Sequence, residues 1–93
     1  MKKNCLITGA TDGIGKQTAL ELAMQGFNLG LVGRNSEKGA SVVSELIHET
    51  GNNSIRFHYA DLSIMKSVQS LVNEIKRTYE TIDVLLNNAG AYF

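Results

Sequence analysis

Strand-like and helix-like segments alternate along the whole of this 93-residue chain, and this alternation restricts the possible folds more than any other feature. Short apolar runs at residues 3–8, 27–32, 54–59 and 82–87 have the length and composition of β-strands. The segments between them carry apolar residues at helical spacing. No proline occurs and the connections are short. The pattern predicts a parallel α/β sheet with right-handed crossovers.

The expected strand order is 3-2-1-4, which is the first half of a doubly wound, three-layer α/β sheet. We expect residues 1–93 to form one domain, with a ligand crevice at the carboxyl ends of the first and fourth strands. The loops that matter for function should therefore follow Thr8, Val32, Tyr59 and Asn87.

The third strand differs from the others. Its apolar residues Ile55, Phe57 and Tyr59 alternate with Arg56 and His58. Alternation of this kind predicts a strand with one face more exposed to solvent, or a strand at the edge of the sheet.

The helix ends are also marked. Ser36 is placed to cap the second helix, and Gly51 begins a Gly-Asn-Asn segment typical of a stop. From local chemistry, Asp61 or Ser63 could cap the long helix at residues 64–79.

Composition excludes several classes of function. Nine basic and nine acidic residues balance, so no net charge favours nucleic acid or an anionic membrane surface. No apolar run approaches the ~20 residues that cross a bilayer, and no targeting signal is recognisable at the start. We therefore expect a cytoplasmic location.

Few residues suggest metal or redox chemistry. Cys5 is the only cysteine, which rules out an internal disulfide, and we expect it to be a buried strand residue. His48 and His58 have no neighbouring carboxylate or cysteine at metal spacing, so no metal site is predicted. Met24 and Met65 are expected to fill gaps in the core.

The first loop, Thr-Gly-Ala-Thr-Asp-Gly-Ile-Gly at residues 8–15, lies between a buried strand and an amphipathic helix. Gly9 permits a tight turn, Gly13 lets the backbone approach a pyrophosphate, and Gly15 removes a Cβ where helix and strand pack. Unpaired amides at the start of the helix then face the anion. A nucleoside-triphosphate P-loop would need glycine at Ala10 and a hydroxyl residue at Gln17, so that alternative fails.

The second loop, Gly33-Arg34-Asn35, lacks the acidic residue that would hold an adenosine ribose 2′-hydroxyl. A carboxylate there would repel a 2′-phosphate, whereas the guanidinium of Arg34 can donate to it. The loop therefore favours NADP(H) over NAD(H).

Together, these segments resemble the short-chain dehydrogenase/reductase family: the Thr-Gly-x-x-x-Gly-Ile-Gly loop, Asp61-Leu62 after the third strand, and Asn-Asn-Ala-Gly at residues 87–90. The resemblance covers essentially the whole chain and implies a Rossmann-like fold. It implies that residues 9–15 hold the pyrophosphate, Arg34 and Asn35 the adenosine phosphate, and Asp61 and Leu62 the adenine. The cofactor-binding residues so implied are Gly9, Thr11, Asp12, Gly13, Ile14, Gly15, Arg34, Asn35, Asp61, Leu62, Asn88, Ala89 and Gly90.

The family transfers a hydride at the nicotinamide, using a Tyr-x-x-x-Lys pair and a serine. No Tyr-x-x-x-Lys occurs in residues 1–93, so no catalytic residue is predicted here. We expect this chain to be the NADP(H)-binding half without the catalytic half, inactive alone, and to self-associate through the open edge of the fourth strand.

Two alternatives from other classes remain. One is a sensor or interaction module that binds NADP(H) without catalysis. The other is an S-adenosylmethionine-dependent methyltransferase domain, which also has a glycine loop after its first strand. Gly33-Arg34 argues against the methyltransferase, because that class normally places an acid at the end of the second strand.

Overall fold

A computed structural model describes residues 2–10 and 13–87. Strands and helices alternate through this part of the chain, as the sequence predicts. The elements are β1 (Asn4–Thr8), α1 (Gly13–Met24), β2 (Asn28–Gly33), α2 (Ser36–Thr50), β3 (Ile55–Tyr59), α3 (Met65–Thr78) and β4 (Val84–Asn87).

The four strands form one parallel sheet in the order β3-β2-β1-β4. The predicted order is therefore confirmed. Thr8 lies opposite Val32 on one side and opposite Asn87 on the other, so the carboxyl ends of β2, β1 and β4 are level. The sequences of β1 and β2 are continuous apolar runs because helices cover both faces of these strands.

One face of the sheet packs against α1 and α2 through an apolar core. Side chains from β1, β2 and β3 meet small residues of α1 and larger ones of α2 there. The buried members are Cys5, Ile7, Ala10, Ala19, Ala23, Leu29, Leu31, Val42, Leu46 and Ile55. Cys5 is buried as predicted, and burial raises the pKa of its thiol.

The opposite face packs against α3 through a smaller cluster. Its buried members are Leu6, Val32, Ala60 and Leu71. Leu6 lies between Cys5 and Ile7 in the sequence, so β1 alternates between the two faces as a strand must. The sheet is thus the middle layer of three.

The face under α3 also contains a hydrogen-bonded chain of three polar side chains, of which the central histidine is buried. His58 is 3% exposed; its Nδ1 contacts a carboxylate oxygen of Glu74, and its Nε2 lies 2.8 Å from the Tyr79 hydroxyl. A carboxylate only accepts hydrogen bonds, so Nδ1 of His58 is the donor to Glu74. Glu74 is 16 residues away from His58 in the sequence, so local spacing gave no sign of this partner.

Gly30 makes room for this chain in the centre of β2. A Cβ built on Gly30 would lie 2.7 Å from the Tyr79 hydroxyl oxygen and 2.7 Å from a methyl carbon of Leu6. A side chain at this position would therefore displace the tyrosine from the sheet.

The edge position of β3 is confirmed, but the predicted burial along it is only partly right. Arg56 is exposed on the α3 side, whereas His58 is buried on that same side by its bonds to α3. Tyr59 at the end of the strand is exposed rather than buried. His58 is buried because it has polar partners in the fold. The alternation of apolar and polar residues along β3 did not predict those partners.

The end of α2 follows the predicted stop signal. Gly51 has φ 74°, and its amide donates to the Ile47 carbonyl at 2.8 Å. The next residue, Asn52, is buried and donates from Nδ2 to the carbonyl oxygens of Ala23 and Phe27 at 3.0 and 2.8 Å. One amide therefore joins the end of α1 to the turn before β3.

Two methionines predicted to fill the core are exposed. Met24 and Met65 are 69% and 71% exposed. Met24 is one residue beyond Ala23, the last buried position of α1, and so points about 100° away from the buried stripe. Met65 precedes buried Leu71 by six residues, which places it about 120° off the core side of α3. Among the described residues, no helix has the length and apolar content that crossing a bilayer would need.

Candidate nucleotide-binding site

Backbone hydrogen bonds join the loops at the carboxyl edge of the sheet. The Gly9 amide donates to the Val32 carbonyl at 3.3 Å, and the Ala60 amide donates to the Gly33 carbonyl at 2.8 Å. The first loop is therefore tied to the end of β2, and the end of β2 to the loop after β3. As predicted, these loops lie side by side.

A side-chain hydrogen bond joins the carboxyl ends of β1 and β4, where the strand order of the sheet changes direction. The buried Thr8 hydroxyl donates to Oδ1 of Asn87 at 2.8 Å. These two residues are also Cα partners in the register. The rest of the fourth predicted segment, Asn88, Ala89 and Gly90, lies outside the described residues.

The first loop turns sharply from β1 into α1. Gly9 and Gly13 have φ 68° and 53°, a region that other residues rarely adopt. A Cβ on Gly15 would overlap the carbonyl oxygen of Gly9, so only glycine lets the first turn of α1 lie this close to the loop. The sequence predicted that Gly15 makes room for packing between helix and strand. In the structure it makes room for the backbone of the loop, at Gly9 and Ala10. Thr11 and Asp12 lie outside the described residues.

The first turn of α1 carries two side chains that matter for the crevice. Ile14 is 82% exposed and does not belong to the buried side of α1. Lys16, which lies near the predicted phosphate position in the sequence, forms an ion pair with Glu45 of α2 at 2.8 Å. Both side chains are more than a third exposed, so the pair adds at most about 1 kcal/mol to stability.

The second loop begins α2 with a residue other than the one predicted. Asn35 is the N-cap, and its Oδ1 accepts from the Lys38 amide at 3.0 Å. Ser36, the predicted cap, is the first helical residue. Asparagine caps as well as serine does, and here the chain turns one residue earlier. Arg34, next to the cap, is exposed.

The third loop folds around Asp61. Its Oδ1 accepts from the Ser63 amide at 3.0 Å and from the Ser63 hydroxyl at 2.6 Å. These two hydrogen bonds, aided by the charge of Arg34, lower the pKa of the Asp61 carboxyl. Asp61 and Arg34 thus lie within electrostatic range of each other, as residues at adjacent strand ends should. Leu62, the residue after Asp61, is 43% exposed.

The prediction that Asp61 or Ser63 caps α3 is wrong. The N-cap is Ile64, with no side-chain hydrogen bond to the helix. Asp61 and Ser63 form hydrogen bonds to each other instead. The aspartate side chain accepts from the backbone amide two residues later, which is an Asx-turn.

Sequence reasoning missed Ser67 at this edge and gave Ser63 a different role from the observed one. Ser67, in the first turns of α3, accepts from the Asp61 amide at 2.8 Å. Ser63 belongs to an Asp-x-Ser pattern that predicts a local turn, so a signal existed for it. No local signal points to Ser67, because its partner is six residues away.

The fold and this edge define a doubly wound α/β protein with a glycine-rich corner between its first strand and first helix. The family model of short chain dehydrogenases matches residues 3–92, and the chain belongs to this family. The predicted family is therefore confirmed.

Known proteins similar to the chain are oxidoreductases. Human retinol dehydrogenase 13 is 41% identical over 88 residues, which cover 95% of this chain and 27% of that protein. Menthone neomenthol reductase from Mentha piperita has a TM-score of 0.90 at 32% identity, with 97% of this chain and 32% of that one covered. L-Sorbose reductase from Gluconobacter frateurii, solved with NADPH and L-sorbose, has a TM-score of 0.86 at 27% identity, with 96% and 34% covered. The chain thus spans 27–34% of the length of these proteins.

Proposed function

We propose that this chain is the NADP(H)-binding part of a short-chain dehydrogenase/reductase, with the dinucleotide lying across the carboxyl ends of the strands. The observation that carries the proposal is the glycine corner. Positive φ at Gly9 and the bare Cα of Gly15 bring the first turn of α1 against the loop. The first amides of a helix have no partner within it, and they suit a pyrophosphate.

In this proposal, residues 9–15 bind the pyrophosphate and Ile14 offers apolar surface to the cofactor. Its exposure supports that role, since the core does not use its side chain. Asn88, Ala89 and Gly90 contact the adenine ribose and nearby backbone by family resemblance.

Arg34 and Asn35 are proposed to bind the 2′-phosphate of the adenosine ribose. The Oδ1 atom of Asn35 is occupied by the Lys38 amide, so the group that it can offer a ligand is the Nδ2 donor. A guanidinium and an amide donor side by side suit a phosphate and not a ribose hydroxyl pair. The solved complex of L-sorbose reductase with NADPH supports the same cofactor class.

Titration with NADPH and with NADH tests the proposal. We expect Arg34→Ala to weaken NADPH binding about ten- to a hundredfold and to leave NADH binding nearly unchanged, because a charge-assisted contact to phosphate is lost. Arg77→Ala is the matched control, since Arg77 is an exposed arginine in the last turn of α3, away from the crevice.

Equal affinity of the unaltered protein for both dinucleotides would remove the case for phosphate selection. Binding of neither dinucleotide would overturn the assignment of the crevice.

Hydride transfer between nicotinamide and an alcohol or carbonyl is the activity that we propose for a polypeptide carrying the family's Tyr-x-x-x-Lys. Residues 1–93 contain no such pair, and we propose that they bind the dinucleotide without turnover. Stereospecific NADPH-dependent carbonyl reduction by purified material of this length would contradict that part of the proposal.

A further inference from the structure

The two oxygens of the Asp61 carboxylate have different surroundings. Oδ1 accepts both hydrogen bonds from Ser63, one from the amide and one from the hydroxyl. Oδ2 has no hydrogen bond or ion pair to any of residues 2–10 and 13–87. The carboxylate is therefore held by one oxygen and presents the other as an acceptor.

The backbone of this residue is held as firmly as its side chain. The Asp61 amide donates to Ser67 Oγ at 2.8 Å, and its carbonyl accepts from the Ile64 amide at 3.0 Å. The preceding residue, Ala60, is bonded to the end of β2. Contacts from α3 and from β2 thus fix where the carboxylate stands.

The hydrogen bonds from Ser63, with the positive charge of Arg34, keep the pKa of Asp61 low and its carboxylate ionised at neutral pH. An ionised carboxylate accepts hydrogen bonds and donates none. Oδ2 therefore favours a ligand that presents an amino group and disfavours one that presents a carbonyl oxygen at the same place.

We infer that Ser63 is a positioning residue that orients the Asp61 carboxylate, so that the nucleotide site selects a base bearing an exocyclic amino group. The inference rests on the proposed function, in which Asp61 and Leu62 contact adenine. Ser63 does not touch the base and acts through the oxygen that it occupies. Hypoxanthine, which has a carbonyl where adenine has its amino group, is the base that this arrangement rejects.

The test compares the dissociation constants of NADPH and of its hypoxanthine analogue, reduced nicotinamide hypoxanthine dinucleotide phosphate, by fluorescence titration. We expect the unaltered protein to prefer NADPH, and Ser63→Ala to reduce that preference about tenfold, as expected for loss of a hydrogen bond to a charged group. Ser63→Thr keeps the hydroxyl and should keep the preference. The ratio of NADPH to NADH affinity should not change in any of these variants, since Arg34 sets it.

Asp61→Asn separates positioning from general damage to the loop. We expect Asp61→Asn to lose the base preference, and addition of Ser63→Ala to that variant to change it no further. An unchanged base ratio in Ser63→Ala, with tight binding of NADPH, would overturn the role of Ser63 alone. Binding of neither dinucleotide by the unaltered protein would overturn the proposed function and the role of Ser63 together.

Discussion

The two faces of the sheet are stabilised in different ways. Under α1 and α2, side chains such as Ile7, Leu31 and Leu46 are fully buried in apolar contact. Under α3, four buried apolar residues are joined by the chain that links Glu74, His58 and Tyr79. Leu85 of β4, which faces the α3 side, is 62% exposed.

This difference shows two ways in which a parallel sheet acquires a covering layer. Apolar packing is non-directional, so the first face tolerates small shifts of α1 and α2 as long as volume is conserved. Hydrogen bonds are directional, so the second face fixes α3 at particular atoms. We therefore expect substitutions on the first face to lower the free energy of unfolding more. On the second face, we expect the effect of a substitution to depend on one particular partner residue.

The largest effect is expected in the core under α1 and α2. Leu31→Ala should lower the free energy of unfolding by about 2–5 kcal/mol, through lost burial and the cavity that remains. Urea denaturation measures this change. Leu85→Ala is the matched control on the other face and should cost no more than about 0.5 kcal/mol, because the side chain is mostly exposed. Equal losses for the two would contradict the contrast between the faces.

A smaller effect, with a specific partner, is expected at Gly30. Gly30→Ala should cost about 1–3 kcal/mol, since the new methyl group meets the Tyr79 hydroxyl and Leu6. Combining it with Tyr79→Phe removes one of the two overlapping atoms. The double variant should then be less destabilised than the sum of the single variants. Strict additivity in a double-mutant cycle would show that the tyrosine does not sit over Gly30.

Removal of the Tyr79 hydroxyl alone should cost about 1 kcal/mol, because His58 loses its partner at Nε2. Tyr59→Phe, at an exposed tyrosine, should change stability by less than about 0.5 kcal/mol. Both values can be read from denaturant unfolding at pH 7.

The same tyrosine gives a pH test. Burial, with the nearby charge of Glu74, raises the pKa of Tyr79 above its ordinary 10.0, although Arg56 opposes this. A raised folded-state pKa means that the stabilisation is complete below about pH 10 and is lost as the pH rises through the folded-state value. Tyr79→Phe should lose less stability over that alkaline range than the unaltered protein. A steeper loss in the variant would be incompatible with the buried hydroxyl.

The smallest effect is expected at the start of α2. Asn35→Ala should cost about 1 kcal/mol by removing the cap on the Lys38 amide. Ser36→Ala, one residue on, should be nearly neutral, because its hydroxyl caps nothing in the structure. Thermal unfolding of the two variants compares them directly. A larger loss at Ser36 than at Asn35 would restore the cap predicted from sequence.

The sequence predicted the fold because its signals are local and repeated. Strand order, the confirmed stop at Gly51 and the burial of Cys5 follow from periodicity, turn chemistry and the handedness of crossovers. The glycine corner was predictable for the same reason, since each glycine there meets a backbone requirement.

Contacts between distant residues were not predictable. His58 gave no sign of Glu74, which is 16 residues away, nor Asp61 of its bond to Ser67. Helix caps were misplaced because several adjacent residues, such as Asn35 and Ser36, are equally good acceptors. Self-association through β4 and a cytoplasmic location stay predictions.

The bonds that align the strand ends have a consequence for how such a site can diverge. Gly9 is joined to Val32, and Ala60 to Gly33, by peptide groups alone. Every amino acid except proline supplies the same peptide donor and acceptor, so these bonds do not depend on the side chains at the strand ends; only Gly9, with φ 68°, favours one residue type. Arg34, which we propose sets the cofactor preference, can therefore be exchanged for another residue while the hydrogen bonds between the strand ends stay the same.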